Sequence, residues 1–251
     1  MPRFFVTKEQ IVGDTVTILG DDAHHISRSL RMAAGEKIVV CDMQKNEYEC
    51  TLCEFLPDKV TASVTSQSKS DTEPPFKAYL YQALPKGDKL DSIIQKSVEC
   101  GIFSITTFNS DRCIAKDKEG DEKKLLRRQR ISLEAAKQSG RGIIPEVSPT
   151  VSFKEAIASA AKADIALFCY EGDGTVSLKS YLGEKKAELS TSGAQNPSVS
   201  IVIGSEGGFS LAEVEYARVA GLVPVGLGRR ILRTETASSF VLGCLVYEFE
   251  L

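Results

Sequence analysis

Two glycine-rich stretches near the end of the chain carry the residues best suited to chemistry. The first is Ile201-Val202-Ile203-Gly204-Ser205-Glu206-Gly207-Gly208-Phe209-Ser210. The second is Val225-Gly226-Leu227-Gly228-Arg229-Arg230-Ile231-Leu232-Arg233-Thr234-Glu235-Thr236-Ala237. Glycine lets the backbone approach a ligand closely and turn its N–H groups toward it. One such stretch reads equally well as a tight strand-to-helix turn; two of them point to a ligand site held by main chain. Arg229, Arg230 and Arg233 add cations in a loop, where a solvated helix face does not account for them. Arg233 is the first candidate for stabilising a developing oxyanion or anchoring a substrate, an ion pair with a neighbouring glutamate being the plainer role. Glu206 and Glu235 are candidate bases, partners that orient an arginine, or N-terminal helix caps.

Several familiar chemistries are excluded by spacing. Gly226-x-Gly228 has Ile231 where a dinucleotide-binding loop needs its third glycine, and no Gly-x-x-x-x-Gly-Lys-Ser/Thr phosphate loop occurs. Ser205 follows Gly204 directly and has Ile203 two positions before it, which breaks a hydrolase nucleophile elbow. The only histidines, His24 and His25, lie far upstream. Cys50-Thr51-Leu52-Cys53 has metal-ligand spacing but sits in a strand pattern that sends the two thiols to opposite faces, so no metal site is expected.

The elements that must position these loops fall into two groups. Short apolar or β-branched runs at 3–6, 16–19, 37–41, 48–55 and 59–65 predict strands of a small barrel. They are interrupted by one helical piece over 22–32, with Ile26 and Leu30 on one face and Arg28 and Arg31 beside it. Residues 66–75 are polar, end in Pro74-Pro75 and lack periodicity, as a linker does. The expected division is residues 1–67, a linker at 68–76, and residues 77–251. The last part alternates strands (77–83, 102–108, 165–170, 198–203, 223–227) with helices (89–100, 127–139, 156–162, 211–220, and from about 235). Ala237, Phe240, Val241, Cys244, Leu245 and Phe249 form the core stripe expected of the final helix. This alternation predicts an α/β domain with a mainly parallel sheet, whose ligands sit at the carboxyl ends of strands. Both glycine stretches follow strands.

At 251 residues the chain is long enough for two modest cores, and its hydrophobic (42 %) and charged (26 %) fractions suit a soluble protein. It contains no apolar run long enough to cross a bilayer, its first residues read as a short strand with no apolar signal region, so export is not expected, and its seven scattered cysteines suit reduced thiols in the cytoplasm. A formal net charge of -3 argues against a bulk nucleic-acid coat, so any such contact must be local, as in the basic run 123–130 followed by Lys137 and Arg141.

The run Gly-Ser-Glu-Gly-Gly-Phe-Ser followed by Leu-Gly-Arg-Arg-Ile-Leu-Arg-Thr-Glu-Thr-Ala resembles the RsmE family of SPOUT methyltransferases. The resemblance covers the whole chain. His24-His25-Ile26-x-x-x-Leu30-Arg31 with Gly35 resembles that family's PUA-like RNA-binding domain. Lys86-Gly87-Asp88-Lys89, Lys96-Ser97-x-Glu99-x-Gly101, Ser110-x-Arg112-Cys113 and Glu134-Ala135-Ala136-x-Gln138-Ser139-Gly140-Arg141 match its catalytic-domain motifs. One departure is Ser205, where the family usually has proline; altered loop rigidity with activity retained is expected.

The resemblance implies an α/β fold: an N-terminal PUA-like β-barrel and a C-terminal SPOUT trefoil-knot methyltransferase domain, the chain threading a loop from about residue 223 onward. It implies S-adenosyl-L-methionine as cofactor, held bent by Tyr170, Gly204, Glu206, Gly207, Gly208, Leu227, Gly228, Ile231, Leu232 and Thr234. The implied reaction is in-line transfer of a methyl group to N3 of one uridine of 16S ribosomal RNA, the one conventionally numbered 1498. Arg233, Glu206 and Glu235 are the catalytic candidates, and Arg28, Arg31, Gln138, Arg141 and part of the 127–130 helix the RNA-contacting ones. A homodimer acting in the cytoplasm on the small ribosomal subunit is implied, with no membrane and no metal. His24 and His25 have two readings, stacking on RNA or packing in the barrel. A SPOUT enzyme with another RNA target, or a non-catalytic RNA-binding assembly factor on the same fold, are the alternatives.

Overall fold

The structure, a computed structural model, describes residues 1–117, 121–193 and 195–251. It divides into two units, one of Met1–Glu73 with Ala136–Ile144, the other of Pro74–Ala135 with Pro145–Leu251.

The first unit is built on β1 (Arg3–Phe5), β2 (Ile11–Val12), β3 (Thr15–Leu19), β4 (Lys37–Cys41), β5 (Asn46–Leu56) and β6 (Lys59–Lys69). They form one sheet in the order β1-β4-β5-β6-β3-β2, parallel between β1 and β4 and antiparallel elsewhere. Period-two alternation drives Val16, Ile18, Ile38, Val40, Leu52 and Val60 into a common core. Cys50 joins that core, while Cys53 sits at a register shift on the solvent side, so the two thiols diverge. The strand expected to stop at 65 continues to Lys69, because polar residues serve well on a ladder extending past the core, where Lys69 Nζ reaches Asn46 Oδ1 (2.7 Å).

The single helix expected over 22–32 is instead a five-residue helix, α1 (Gly20–His24), running into a π-helical turn over His25–Ser29. Ser27 Oγ donates back to the Ala23 carbonyl, and the Leu30 N–H bonds to His25 five residues earlier. The wider turn rotates Leu30 away from Ile26: Ile26 is fully buried and Leu30 is 40 % exposed. Arg31 then takes a left-handed conformation (φ 52°).

In the second unit β7 (Lys77–Ala83), β8 (Ser104–Asn109), β9 (Glu146–Ser152), β10 (Ile165–Cys169), β11 (Val176–Ser177), β12 (Ser198–Ile203) and β13 (Val223–Gly226) make one wholly parallel sheet. Its order is β11-β13-β10-β12-β7-β8-β9. The central strands are apolar on both faces, as helices on both sides require. The helices are α2 (Lys89–Glu99), α3 (Glu122–Gln138), α4 (Phe153–Ala160), α5 (Leu178–Ser192), α6 (Leu211–Val219) and α7 (Thr234–Phe249); the last residues of α3 group with the first unit. α4 begins earlier than expected because Ser152 and Glu155 form a capping box. Although β13 lies beyond β10, the chain returns in α7 to pack on β12 and α2. Val241, Leu242 and Leu245 of α7 are fully buried, each contributing about 1.5–3 kcal/mol. Phe240, expected in that stripe, is 40 % exposed, and buried Ser238 takes the inward position instead. Among the described residues no helix is long and apolar enough to cross a membrane.

Candidate active site

The carboxyl ends of β10, β12 and β13 open into a cavity of about 710 Å³, within the range of small-molecule sites (roughly 300–1,000 Å³). Its walls are the loop after β10, the 204–208 loop after β12 and the 227–233 loop after β13. Tyr170, Gly204, Glu206, Gly207, Gly208, Leu227, Gly228, Ile231, Leu232 and Thr234 all border it, as does Arg233. The parallel sheet brings these residues together from three strand ends, as the sequence order alone suggests.

Two glycines have distinct physical reasons. A Cβ on Gly207 would stand 2.9 Å from Arg112 Cβ, so only glycine permits this approach. Gly228 meets no neighbour within 4 Å but has φ +112°, a conformation other residues rarely adopt. Gly172 also matters, because a Cβ there would overlap the Tyr170 ring that lines the cavity.

The 204–208 loop is braced from three directions. Thr234 Oγ1, in the first turn of α7, donates to the Gly204 carbonyl at 2.7 Å and accepts from Gln82 Nε2 at 2.9 Å. The Glu206 carboxylate accepts from Lys89 Nζ at 2.6 Å and from the Lys86 N–H at 3.1 Å. Arg112 Nη1 donates to the Gly207 carbonyl at 3.0 Å. Behind the loop, buried Glu213 accepts from the N–H groups of Asp111 and Ser210 (both 2.9 Å), tying the segment after β8 to the start of α6. Phe209 anchors the loop's exit on Phe168, ring centroids 4.3 Å apart. Ser205, buried, closes the turn by accepting the Gly208 N–H (2.9 Å), while its own hydroxyl has no partner.

This bracing corrects one expectation. Burial raises the Glu206 pKa, but the Lys89 and Lys86 hydrogen bonds outweigh it and hold the carboxyl below its ordinary range. Glu206 is therefore a fixed anion orienting a lysine, a poor proton acceptor. Glu235 does not border the cavity; one of its carboxylate oxygens is buried without a partner in the first turn of α7. Cys169 does border the cavity, but burial pushes its thiol up to about 12, so it stays protonated.

The 227–233 loop is the opposite case. Arg229, Arg230 and Arg233 are exposed, and among the described residues none has a side-chain hydrogen-bond or ion-pair partner. No neighbouring glutamate neutralises Arg233, which removes the plainer reading of it.

The four RNA-contact candidates divide. Arg28, Arg31 and Gln138 are exposed. Arg141 is not: its guanidinium is buried and doubly bonded to the Glu73 carboxylate (2.9 and 2.7 Å), so it holds the first unit together and is withdrawn from any surface role. In the basic helix, Arg127 pairs with Asp91, and buried Arg128 pairs with Asp117 at 2.6 Å, leaving Lys123 and Arg130 exposed. His24 Nε2 lies 3.0 Å from Asp58, and His25 meets the Phe4 ring edge-on at 6.4 Å, so both are engaged by the first unit itself.

The family described as RNA methyltransferase domain matches residues 72–246, and that described as RNA methyltransferase PUA domain matches residues 18–54. Ribosomal RNA small subunit methyltransferase E of Bacillus subtilis is 36 % identical over the whole of this chain and 98 % of its own length. The chain belongs to the RsmE family of RNA methyltransferases. Another member, ribosomal RNA small subunit methyltransferase E from Neisseria gonorrhoeae solved bound to S-adenosyl methionine, superposes with a TM-score of 0.85 at 29 % identity, covering 98 % of this chain and 97 % of that one. A methyltransferase from Legionella pneumophila, solved with the bound cofactor SAM, gives 0.84 at 29 % identity and 98 % coverage of this chain. Seen against the RsmE motifs in the sequence, Lys86, Lys89 and Arg112 gain a definite role as braces of the 204–208 loop. Gln82 acts with them although no motif singles it out, because its partner Thr234 lies 152 residues away, and Glu213 joins its capping-box partner Ser210 to the distant Asp111.

Proposed function

We propose that this chain binds S-adenosyl-L-methionine in the cavity at the ends of β10, β12 and β13 and methylates N3 of a uridine in 16S ribosomal RNA. The carrying observation is the cavity itself, walled by the three loops that the family motifs occupy and rimmed by three unpartnered arginines. The residues present fit the cofactor. Space lies open around Gly228 for a ligand against bare main chain, and Tyr170, Leu227, Ile231 and Leu232 supply an apolar wall for a purine.

The bound cofactor supplies an electrophilic methyl group on a sulfonium, a leaving group that needs no protonation. What the chain must add is position and a usable nucleophile. Uracil N3 carries a proton at neutral pH and attacks only as that proton leaves. The second unit contains no histidine, Glu206 is held as a paired anion, and Cys169 stays protonated. Arg233, with Arg229 and Arg230 beside it, instead favours the uracil anion by pairing with the negative charge that spreads to the carbonyl oxygens, and the N3 proton passes to solvent. Exposed Arg28, Arg31 and Gln138 hold the RNA backbone, which presents an unstacked uridine to the rim.

Two features of the same reading concern α7. Its return from β13 to β12 and α2 supports a threaded, knotted chain, with the 204–208 and 227–233 loops locked by the Thr234–Gly204 bond. Its exposed Phe240 and Tyr247, seven residues apart on one face, support a homodimer through this helix. The protein would act in the cytoplasm, where small subunits are assembled.

The test is to incubate the protein and S-adenosyl-L-methionine with small subunits lacking the modification and to analyse the nucleosides by mass spectrometry. One 3-methyluridine per 16S RNA is expected. A ribose 2′-O-methyl product would reassign the reaction, and tight RNA binding without any methyl transfer would replace the enzyme by a binding factor.

A further inference from the structure

Gln82 is fully buried near the end of β7 and forms no part of the cavity wall, yet its amide joins two of the walls. Its Nε2 lies 2.9 Å from the Ala83 carbonyl, 2.9 Å from Thr234 Oγ1 and 3.4 Å from the Gly204 carbonyl. The proton direction is fixed by chemistry. Carbonyl oxygens only accept, so Thr234 spends its single proton on Gly204 at 2.7 Å and must accept one from Gln82. Glutamine is the donor this arrangement demands; a carboxylate of the same shape would face carbonyl oxygens.

We propose that Gln82 is a positioning residue for methyl transfer: through Thr234 it ties the first turn of α7 to β7 and so aims Arg233. The proposal rests on the methyltransferase reading of the site. Arg233 is the N-cap of α7, its carbonyl accepting the Thr236 and Ala237 N–H groups at 2.9 Å. With no partner for its guanidinium, the direction of that side chain depends on where the helix start is held. Thr234 is the next residue, and its hydroxyl is the only side-chain hydroxyl of that turn with a hydrogen bond to another strand end among the described residues. A displacement near 1 Å at a reacting group costs about 10²-fold in rate.

The experiment is a kinetic cycle on the full-length protein with Gln82→Leu, Arg233→Ala and the double variant, using small subunits as substrate. Gln82→Glu is added as a shape control, with melting curves for every protein. Calorimetric titration with S-adenosyl-L-methionine and amide hydrogen exchange are measured alongside. Gln82→Leu should lower kcat by about 10²-fold, with the RNA KM and the cofactor Kd little changed. Because the Thr234–Gly204 bond survives this change, the cofactor wall stays in place. In the Arg233→Ala background the same change should cost less than about threefold, as expected when two residues act through one effect. Gln82→Glu should fall as far as Gln82→Leu. Amides 234–237 should exchange faster in Gln82→Leu than in the wild type.

A full, additive loss in the Arg233→Ala background, or a loss carried wholly by weaker cofactor binding, would overturn the proposal. So would wild-type exchange at 234–237 in Gln82→Leu, a readout that decides the matter whether or not the protein methylates RNA. Failure of the wild type to methylate, with fast exchange in the variant, would instead overturn the reading of the reaction and leave the tether standing.

Discussion

The two glycine-rich loops leave β12 and β13, strands of one parallel sheet with β10 between them, yet their side chains are treated in opposite ways. In the 204–208 loop, carbonyls and the one carboxylate are bound by Thr234, Arg112 and Lys89. In the 227–233 loop the three arginines are exposed and unpaired. The first is a wall that must keep its shape, and the second carries charge that must remain available. The same division separates Arg141, locked to Glu73, from Arg28 and Arg31 on the first unit's surface. A cation that is paired in the folded chain contributes to holding it; one left bare is placed for something else.

The largest effect should come from the wrong side of that division. Arg141→Ala strands the buried Glu73 carboxylate and should lower stability by about 3–5 kcal/mol. Denaturant titration checks this. Arg31→Ala should leave stability unchanged and reduce the salt dependence of RNA binding by about one counterion; a salt-dependence change for Arg141→Ala in protein that stays folded would break the comparison.

Next comes Arg233→Ala, expected to lower kcat for methyl transfer by about 10²–10³-fold, the usual cost of removing one donor to a developing oxyanion. The cofactor Kd should barely move. A loss confined to cofactor binding would place Arg233 in the wall after all. Gly172→Ala is smaller again. The added methyl displaces the Tyr170 ring, and calorimetry should show the cofactor Kd raised about tenfold, equivalent to about 1.4 kcal/mol.

The smallest change is Glu206→Gln, which weakens the Lys89 brace while keeping shape, and its signature lies in pH. The folded carboxyl titrates below its ordinary 4.5, so its stabilising share is complete above that pH and disappears as pH falls through the depressed value. Melting curves of wild type and Glu206→Gln should differ at neutral pH and converge in acid. Divergence that grows in acid would contradict the assignment of Glu206 as a fixed anion.

Much of this was legible in the sequence for physical reasons. Strand-end glycines and clustered arginines announce a ligand site, and alternation in β3 to β6 announces the first core. Other elements gave weaker signals. Helix α5 buries only Leu178 and Leu182, too few for a visible stripe, and β9 carries Pro149, tolerable because it is the sheet's edge strand. The π-helical turn after α1 carries a plain helical pattern in the sequence, because composition does not show a one-residue change of turn. Least legible was which cations are spent. Arg128 and Arg141 look like surface charge until Asp117 and Glu73 are found beside them, and Gln82 carries no sign of the tether it makes 152 residues onward.

The most direct test of the whole account is calorimetric titration of the purified protein with S-adenosyl-L-methionine, set against the Gly228→Arg variant. A side chain at Gly228 is strained at φ +112° and projects into open space at the cavity. Saturable binding by the wild type, abolished in a variant that remains folded, is the predicted result. Equal binding by both proteins, or none by the folded wild type, would contradict it.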